Sequence, residues 1–253
     1  MTDRYELTML QAALRSGKAE RECVFEVFTR QLPAGRRYGV FAGVGRVLDA
    51  VNDFKFSKAE LEYLREKSIV DEKTLDWLAG YKFSGSISGY REGEIYFANS
   101  PVLTVRGSFA EAVLLETVVL SILNYDSAVA SAASRMHTAA AGRFLAEMGA
   151  RRAHESAAVA AARAAFIAGF DATSNLEAGR SWGIPTMGTS AHSFTLLHDT
   201  EKEAFEAQIA SMGPDTTLLV DTYDISKAVQ MAVDLTGGKV SAVRIDSGDL
   251  GST

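Results

Sequence analysis

Only one cysteine, Cys23, occurs among the 253 residues, so no disulfide can form within the chain. It lies in Cys23-Val24-Phe25-Glu26-Val27-Phe28, which reads as a buried strand. None of its neighbours is of a kind that activates a thiolate, so the expectation is a core thiol rather than a nucleophile. The chain also lacks the run of about 18 apolar residues that a membrane-spanning helix needs. The opening Met1-Thr2-Asp3-Arg4-Tyr5-Glu6 has no apolar signal segment, and the expected compartment is the cytoplasm. Basic residues are scarce as clusters: the formal charge is -6, and arginines pair only at Arg36-Arg37 and Arg151-Arg152. That argues against a nucleic-acid partner and suits a small phosphorylated ligand. No internal repeat or low-complexity segment stands out; the alanine tracts at 128–141 and 157–168 are helix formers.

What is present is an ordinary globular balance, 47% hydrophobic and 23% charged. Leu7, Leu10 and Leu14 form a helical stripe that Gly17 ends. Residues 22–29 read as a strand. Ser57-Lys58-Ala59-Glu60 is a capping box opening a helix over 58–67, and Asp71 caps a further helix closed by Gly80. Glycines, serines and alternating apolar residues over 83–107 predict antiparallel strands. Gly43-Val44-Gly45 lacks the spacing of a nucleotide fingerprint and reads as a helix start.

Beyond Phe109 the character changes. Helices are expected over 111–124, from Asp126 to about Met148, and over 156–168, 201–212 and 225–236. Short apolar runs stand at Ile184–Met187, Leu218–Val220 and Val240–Ile245. Strands alternating with helices imply a parallel sheet, with chemistry at the carboxyl ends of its strands. The expected organisation is an N-terminal α+β domain over 1–105 and part of an α/β barrel over 106–253. A complete barrel needs roughly 250 residues, so the chain is expected to be truncated at its C-terminus.

Three constellations carry chemistry. In Ile184-Pro185-Thr186-Met187-Gly188-Thr189-Ser190-Ala191-His192-Ser193, small residues let backbone N–H groups approach an anion, and His192 stands at the mouth of the sheet. In Leu218-Leu219-Val220-Asp221-Thr222-Tyr223-Asp224, Asp224 reads as a helix N-cap. Asp221 is free to orient His192 or to cap in its turn. In Val240-Ser241-Ala242-Val243-Arg244-Ile245-Asp246-Ser247-Gly248-Asp249, two carboxylates flank a Ser-Gly turn, suited to ribose hydroxyls or to Mg²⁺ through water. Arg244 and Asp246 alternate and so share one side of the strand.

Taken together, Thr2-Asp3-Arg4-Tyr5-Glu6-Leu7-Thr8-Met9, Gly149-Ala150-Arg151-Arg152-Ala153, Gly169-Phe170-Asp171-Ala172-Thr173-Ser174-Asn175, Gly188-Thr189-Ser190-Ala191-His192-Ser193 and Arg244-Ile245-Asp246-Ser247-Gly248-Asp249 resemble the nicotinate phosphoribosyltransferase family. The resemblance implies an α/β fold: a sandwich-like N-terminal α/β domain followed by the irregular α/β barrel of the type II phosphoribosyltransferases, here incomplete. It implies the joining of nicotinate to phosphoribosyl pyrophosphate, giving nicotinate mononucleotide and pyrophosphate in NAD salvage. ATP, a co-substrate, drives the reaction through a phosphohistidine, with Mg²⁺ as cofactor.

On the same basis His192 carries the phosphoryl group and Asp221 is its carboxylate partner. Tyr5 packs on the nicotinate ring across the interface of a homodimer with shared active sites. Thr189 and Arg244 contact nicotinate or product, and Arg151 or Arg152 holds a carboxylate or phosphate. Asp246 and Asp249 face ribose, pyrophosphate and Mg²⁺. Asp171, Ser174, Asn175, Ser247 and Gly248 complete the substrate-binding set. Two other readings compete: a nicotinamide phosphoribosyltransferase, and an inactive truncated fragment that only binds ligand or dimerises. The Arg151-Arg152 pair and the Gly-Thr-Ser-Ala-His segment favour the acid substrate over the amide.

Overall fold

The structure is a computed structural model that describes residues 2–249 and 251. It divides into two compact units, Met1–Thr186 and Met187–Thr253. Among the described residues no helix is long and apolar enough to cross a membrane.

The first unit opens with α1 (Arg4–Ser16), which buries Glu6, Leu7, Leu10 and Ala13 and ends on Gly17 at φ +70°. Glu6 is a fully buried carboxylate. It accepts the Asp3 N–H at 2.9 Å and the Thr117 N–H at 2.8 Å, so it serves the first turns of two helices at once. Strand β1 (Glu22–Val27) follows, with alternating exposure. Cys23 is therefore only half-buried, and burial pushes its thiol up. Next come β2 (Gly39–Val40), α2 (Val44–Asn52), α3 (Lys58–Glu66), α4 (Glu72–Ala79), β3 (Ser86–Gly89), β4 (Ile95–Tyr96) and β5 (Leu103–Ser108). β1, β5 and β3 form one antiparallel sheet in that order, and β2 pairs with β4. Ser57 and Glu60 make the expected capping box, and Asp71 caps α4 through the Thr74 N–H at 3.0 Å. The sheet and helices close over a core that includes Leu10, Phe41, Val47, Leu75, Leu78 and Leu103.

Gly43 is the N-cap of α2 at φ +106°, a conformation costly for any residue with a Cβ. Its N–H donates to Glu92 at 2.7 Å, and Glu92 in turn takes a bidentate pair from Arg163. The Gly-Val-Gly segment thus starts a helix, as its spacing indicated.

After α5 (Phe109–Val113) comes α6 (Glu116–Ala140), a single 25-residue helix. The expected break near Asp126 does not occur. No Gly or Pro interrupts the segment, and the Asp126 carboxylate does not cap: it is buried and paired with Arg46 at 2.6 Å. The helix ends at Ala141 (φ +50°) and Gly142 (φ +82°), short of Met148. That leaves room for β6 (Ala146–Glu147), the 3₁₀ turn Ala150–Arg152, α7 (Glu155–Ile167), β7 (Ala172–Thr173) and α8 (Leu176–Trp182). β6 and β7 are parallel, and Thr173 makes one further parallel bridge to Thr186.

The second unit holds α9 (His192–Leu197), α10 (Glu201–Met212), β8 (Thr217–Leu219), α11 (Ile225–Thr236) and β9 (Ala242–Arg244). β8 and β9 are parallel and joined through α11, the βαβ arrangement that the alternating apolar runs implied. Phe205, Leu218, Val220, Ala228 and Ala232 form its core. Asp224 caps α11 through the Lys227 N–H at 3.0 Å, and Gly237 closes it at φ +60°.

Candidate active site

The carboxyl ends of β8 and β9 lie side by side, because the Val220 N–H donates to the Arg244 carbonyl at 3.1 Å. The apolar Leu218-Leu219-Val220 run is buried, and it delivers Asp221 at the edge of the core. One oxygen of that carboxylate, Oδ2, accepts the Asp246 N–H at 2.8 Å and the Ser247 hydroxyl at 2.7 Å. It therefore stitches the loop after β8 to the loop after β9. Gly248, at φ +83°, completes the tight turn that follows.

The other oxygen of Asp221, Oδ1, is buried and has no hydrogen-bond partner among the described residues. It faces His192 Nε2 at 3.7 Å, beyond hydrogen-bond length but within ion-pair range. The Asp221 side chain is 2% exposed, against 39% for His192. Burial pushes the Asp221 carboxyl up, but the Ser247 hydroxyl, the Asp246 N–H and the facing imidazole outweigh it, and the net shift is down. The carboxylate stays ionised and aims an unsatisfied lone pair at the ring. On its other side, His192 Nδ1 lies 3.2 Å from the Thr222 hydroxyl. His192 is the first residue of α9, so its ring is set at a helix start and not in a free loop.

Arg244 forms the second half of this cluster. Its Nη1 donates to the Thr189 hydroxyl at 2.6 Å and the Ser190 carbonyl at 3.2 Å, and its Nη2 pairs with Asp246 Oδ2 at 2.8 Å. Arg244 and Asp246 do share a side, as strand alternation requires. Thr189, His192, Asp221, Arg244, Asp246 and Ser247 thus sit in one connected network in the second unit, with Gly248 next in the chain. Asp249 follows Gly248 and accepts the Gly251 N–H at 3.2 Å. Among the described residues no group of three or more His, Cys, Asp or Glu side chains could hold a metal ion by itself.

The remaining candidates lie in the first unit. Arg151 and Arg152 occupy the 3₁₀ turn after β6, exposed and without a side-chain partner among the described residues. Asp171 accepts the Leu145 N–H at 2.8 Å, Asn175 caps α8 through the Ala178 N–H at 3.0 Å, and the Ser174 N–H reaches the Glu147 carbonyl at 2.9 Å. Tyr5 stands on the first turn of α1; partial burial and then the neighbouring Glu116 raise its phenol.

Sequence reasoning missed three residues that organise these groups. Thr222 meets His192, and Gln208 of α10 accepts the Ser190 hydroxyl at 2.8 Å. Glu147 accepts from the Gly149 N–H at 2.5 Å and the Thr173 hydroxyl at 2.9 Å, tying the loop after β6 to the end of β7. Each is an ordinary polar residue that reaches a partner distant in sequence, His192, Ser190 and Thr173 respectively. Thr222 alone carried a signal, its place directly after Asp221 at the strand end.

Residues 1–124 match the family model of the nicotinate phosphoribosyltransferase (NAPRTase) N-terminal domain. Over 99% of its length the chain is 58% identical to nicotinate phosphoribosyltransferase pncB1 of Mycobacterium tuberculosis, of which it covers 57%. The solved structure of human nicotinic acid phosphoribosyltransferase superposes with a TM-score of 0.87 at 27% identity, covering 99% of this chain and 62% of that one. Nicotinate-nucleotide pyrophosphorylase from Pyrococcus furiosus does so with a TM-score of 0.80 at 26% identity, covering 98% and 57%. The chain spans about half the length of the curated relatives it matches.

Proposed function

We propose that this chain belongs to the nicotinate phosphoribosyltransferase family, whose N-terminal domain model and relatives it matches, and serves the ATP-coupled joining of nicotinate to phosphoribosyl pyrophosphate. The products are nicotinate mononucleotide and pyrophosphate. The observation that carries the reading is the buried Asp221 Oδ1, which has no hydrogen-bond partner among the described residues and faces His192 at the carboxyl end of β8.

In the coupling step a ring nitrogen of His192 attacks the γ-phosphorus of ATP. An N–P bond forms, the bond to the ADP oxygen breaks, and Asp221 offsets the positive charge left on the ring. Hydrolysis of the phosphohistidine regenerates the ring. In the transfer step the nicotinate ring nitrogen attacks the anomeric carbon while the bond to pyrophosphate breaks; the ring nitrogen carries no proton that must be removed. Cationic groups favour this step by holding the leaving oxygens, and a phosphate-bearing substrate also benefits from the arginines' forked donors. Arg244, with Thr189, contacts nicotinate or the product, and Arg151 and Arg152 hold a carboxylate or phosphate.

Asp246, Ser247, Gly248 and Asp249 face the ribose and pyrophosphate; Asp171, just before β7, and Ser174 and Asn175, just after it, shape the substrate loop there. Tyr5 stacks on the nicotinate ring across a homodimer interface. The donor set fits Mg²⁺ as a companion of pyrophosphate, held through Asp246 and Asp249, and not as a caged ion. When bound, Mg²⁺ supplies charge neutralisation on the departing pyrophosphate. The domain division at 105/106 and a cytoplasmic location belong to the same reading.

The test is synthesis of nicotinate mononucleotide by the chain alone and by a form extended to full family length, with nicotinate or nicotinamide and with or without ATP. Nicotinate turnover stimulated by ATP is expected. In His192→Ala the stimulation is lost and slow ATP-independent synthesis remains. Unchanged ATP dependence in that variant refutes the assignment, and a preference for nicotinamide refutes the substrate.

A further inference from the structure

Gln208, on α10, is 4% exposed, and its side chain reaches the start of β8. A buried amide is costly unless every group on it is bonded, and an apolar side chain beside Phe205 and Leu218 carries no such cost. Here both amide protons and the amide oxygen are engaged. Nε2 donates to the Thr216 hydroxyl at 3.0 Å and to the Thr217 carbonyl at 2.9 Å, while Oε1 accepts the Ser190 hydroxyl at 2.8 Å. The Thr217 carbonyl has no proton to give, which fixes the amide with its nitrogen on the strand and its oxygen on the loop. Ser190 is thereby anchored to the start of β8.

The consequence reaches the cluster at the other end of the strand pair. The Ser190 carbonyl and the adjacent Thr189 hydroxyl both accept from Arg244 Nη1. Two links therefore connect the buried amide to the guanidinium. Among the described residues Arg244 has one other anchor, Asp246, which lies two residues away on the same strand end and holds Nη2 alone. Without the Thr189–Ser190 platform the fork of the guanidinium is held on one side only.

We infer that Gln208 is a positioning residue for Arg244, setting the Thr189–Ser190 loop so that the guanidinium presents its donors to an anionic substrate group. The substrate half of this inference rests on the reading above, in which Arg244 contacts nicotinate or its product. Ser190→Ala removes the hydroxyl and leaves the carbonyl for Arg244. Gln208→Met keeps the side-chain volume and removes all three bonds.

The experiment measures amide hydrogen exchange over 188–192 and over 217–220, together with KM and kcat for nicotinate, in both single variants, the double variant and the conservative Ser190→Thr. Exchange over 188–192 rises roughly tenfold in each single variant, the equivalent of one hydrogen bond at about 1.4 kcal/mol. In Ser190→Ala, exchange over 217–220 stays as in the parent. KM for nicotinate rises roughly tenfold while kcat changes less than about threefold, the signature of lost binding and not of lost chemistry. The double variant is no worse than Gln208→Met, and Ser190→Thr recovers the parent behaviour. Unchanged exchange over 188–192, or additive losses in the double variant, overturns the inference, as does an unchanged KM where nicotinate is turned over. If the parent protein does not turn over nicotinate, the proposed reaction falls, and the exchange measurements alone decide whether Gln208 positions the loop.

Discussion

Asp221→Asn isolates the contribution of one charge to the His192 cluster. Asn is isosteric, and its carbonyl oxygen can still accept from the Asp246 N–H and the Ser247 hydroxyl, the two bonds at 2.8 and 2.7 Å. The amide nitrogen then faces His192, where Oδ1 now stands 3.7 Å from Nε2. Two unit charges at that separation interact by about 4.5 kcal/mol at an effective dielectric of 20, and by about 1 kcal/mol in water. His192 is more than a third exposed, so the attraction is screened, and about 2–3 kcal/mol is the appropriate range. That corresponds to a fall of roughly 30- to 150-fold in any step that leaves the ring positively charged. The assay compares ATP-stimulated with ATP-independent synthesis in the parent and the Asn variant, alongside thermal melts. The stimulated rate should fall by that factor, the ATP-independent rate should barely move, and the melting temperature should shift by only a few degrees. A folded Asn variant with undiminished ATP stimulation refutes the reasoning that Asp221 stabilises a cationic His192.

Three further outcomes follow from the geometry. Glu147→Ala leaves the Gly149 N–H and the Thr173 hydroxyl without their carboxylate, so KM for nicotinate should rise and stability should fall by about 2 kcal/mol, checked by kinetics and by denaturant titration. Glu6→Ala strips the buried acceptor from the first turns of α1 and α6 and should cost about 2–4 kcal/mol, read as a lowered melting temperature by circular dichroism. Asp71 is held down at about 2 by the Thr74 hydroxyl and amide, with Arg15 adding to this. A depressed folded-state pKa means its stabilisation is present above about pH 4 and is lost as pH falls toward 2. Asp71→Asn should therefore flatten the acid limb of a stability–pH curve in that window and leave the neutral limb's shape unchanged.

Much of this architecture was legible because the signals were local. Ser57 with Glu60, Asp71 before Thr74 and Asp224 before Lys227 are caps whose donor lies three residues on, so spacing alone reveals them. The βαβ order of β8, α11 and β9 followed from apolar runs set between helical stretches. Asp126 misled for the same reason: a carboxylate inside a helical stretch looks like a cap, and only the fold shows that Arg46 uses it. The two-residue strands β2, β4, β6 and β7 are shorter than any alternation that a sequence can display. At the site, strand ends announced Asp221, Arg244 and Asp246, whereas the start of α9 at His192 went unread because its N-cap is the uninformative Ala191. Gln208 and Glu147 were silent because their hydrogen bonds join residues 18 and 26 positions away.

The central claim is that His192 carries a phosphoryl group opposite Asp221. It is tested most directly by incubating the purified protein with γ-labelled ATP and mapping acid-labile phosphate by mass spectrometry. Label is expected on the peptide containing His192, absent in His192→Ala and discharged when nicotinate and phosphoribosyl pyrophosphate are added. Nicotinate mononucleotide formed at the expense of ATP with no label on His192, or with the label on another residue, contradicts it.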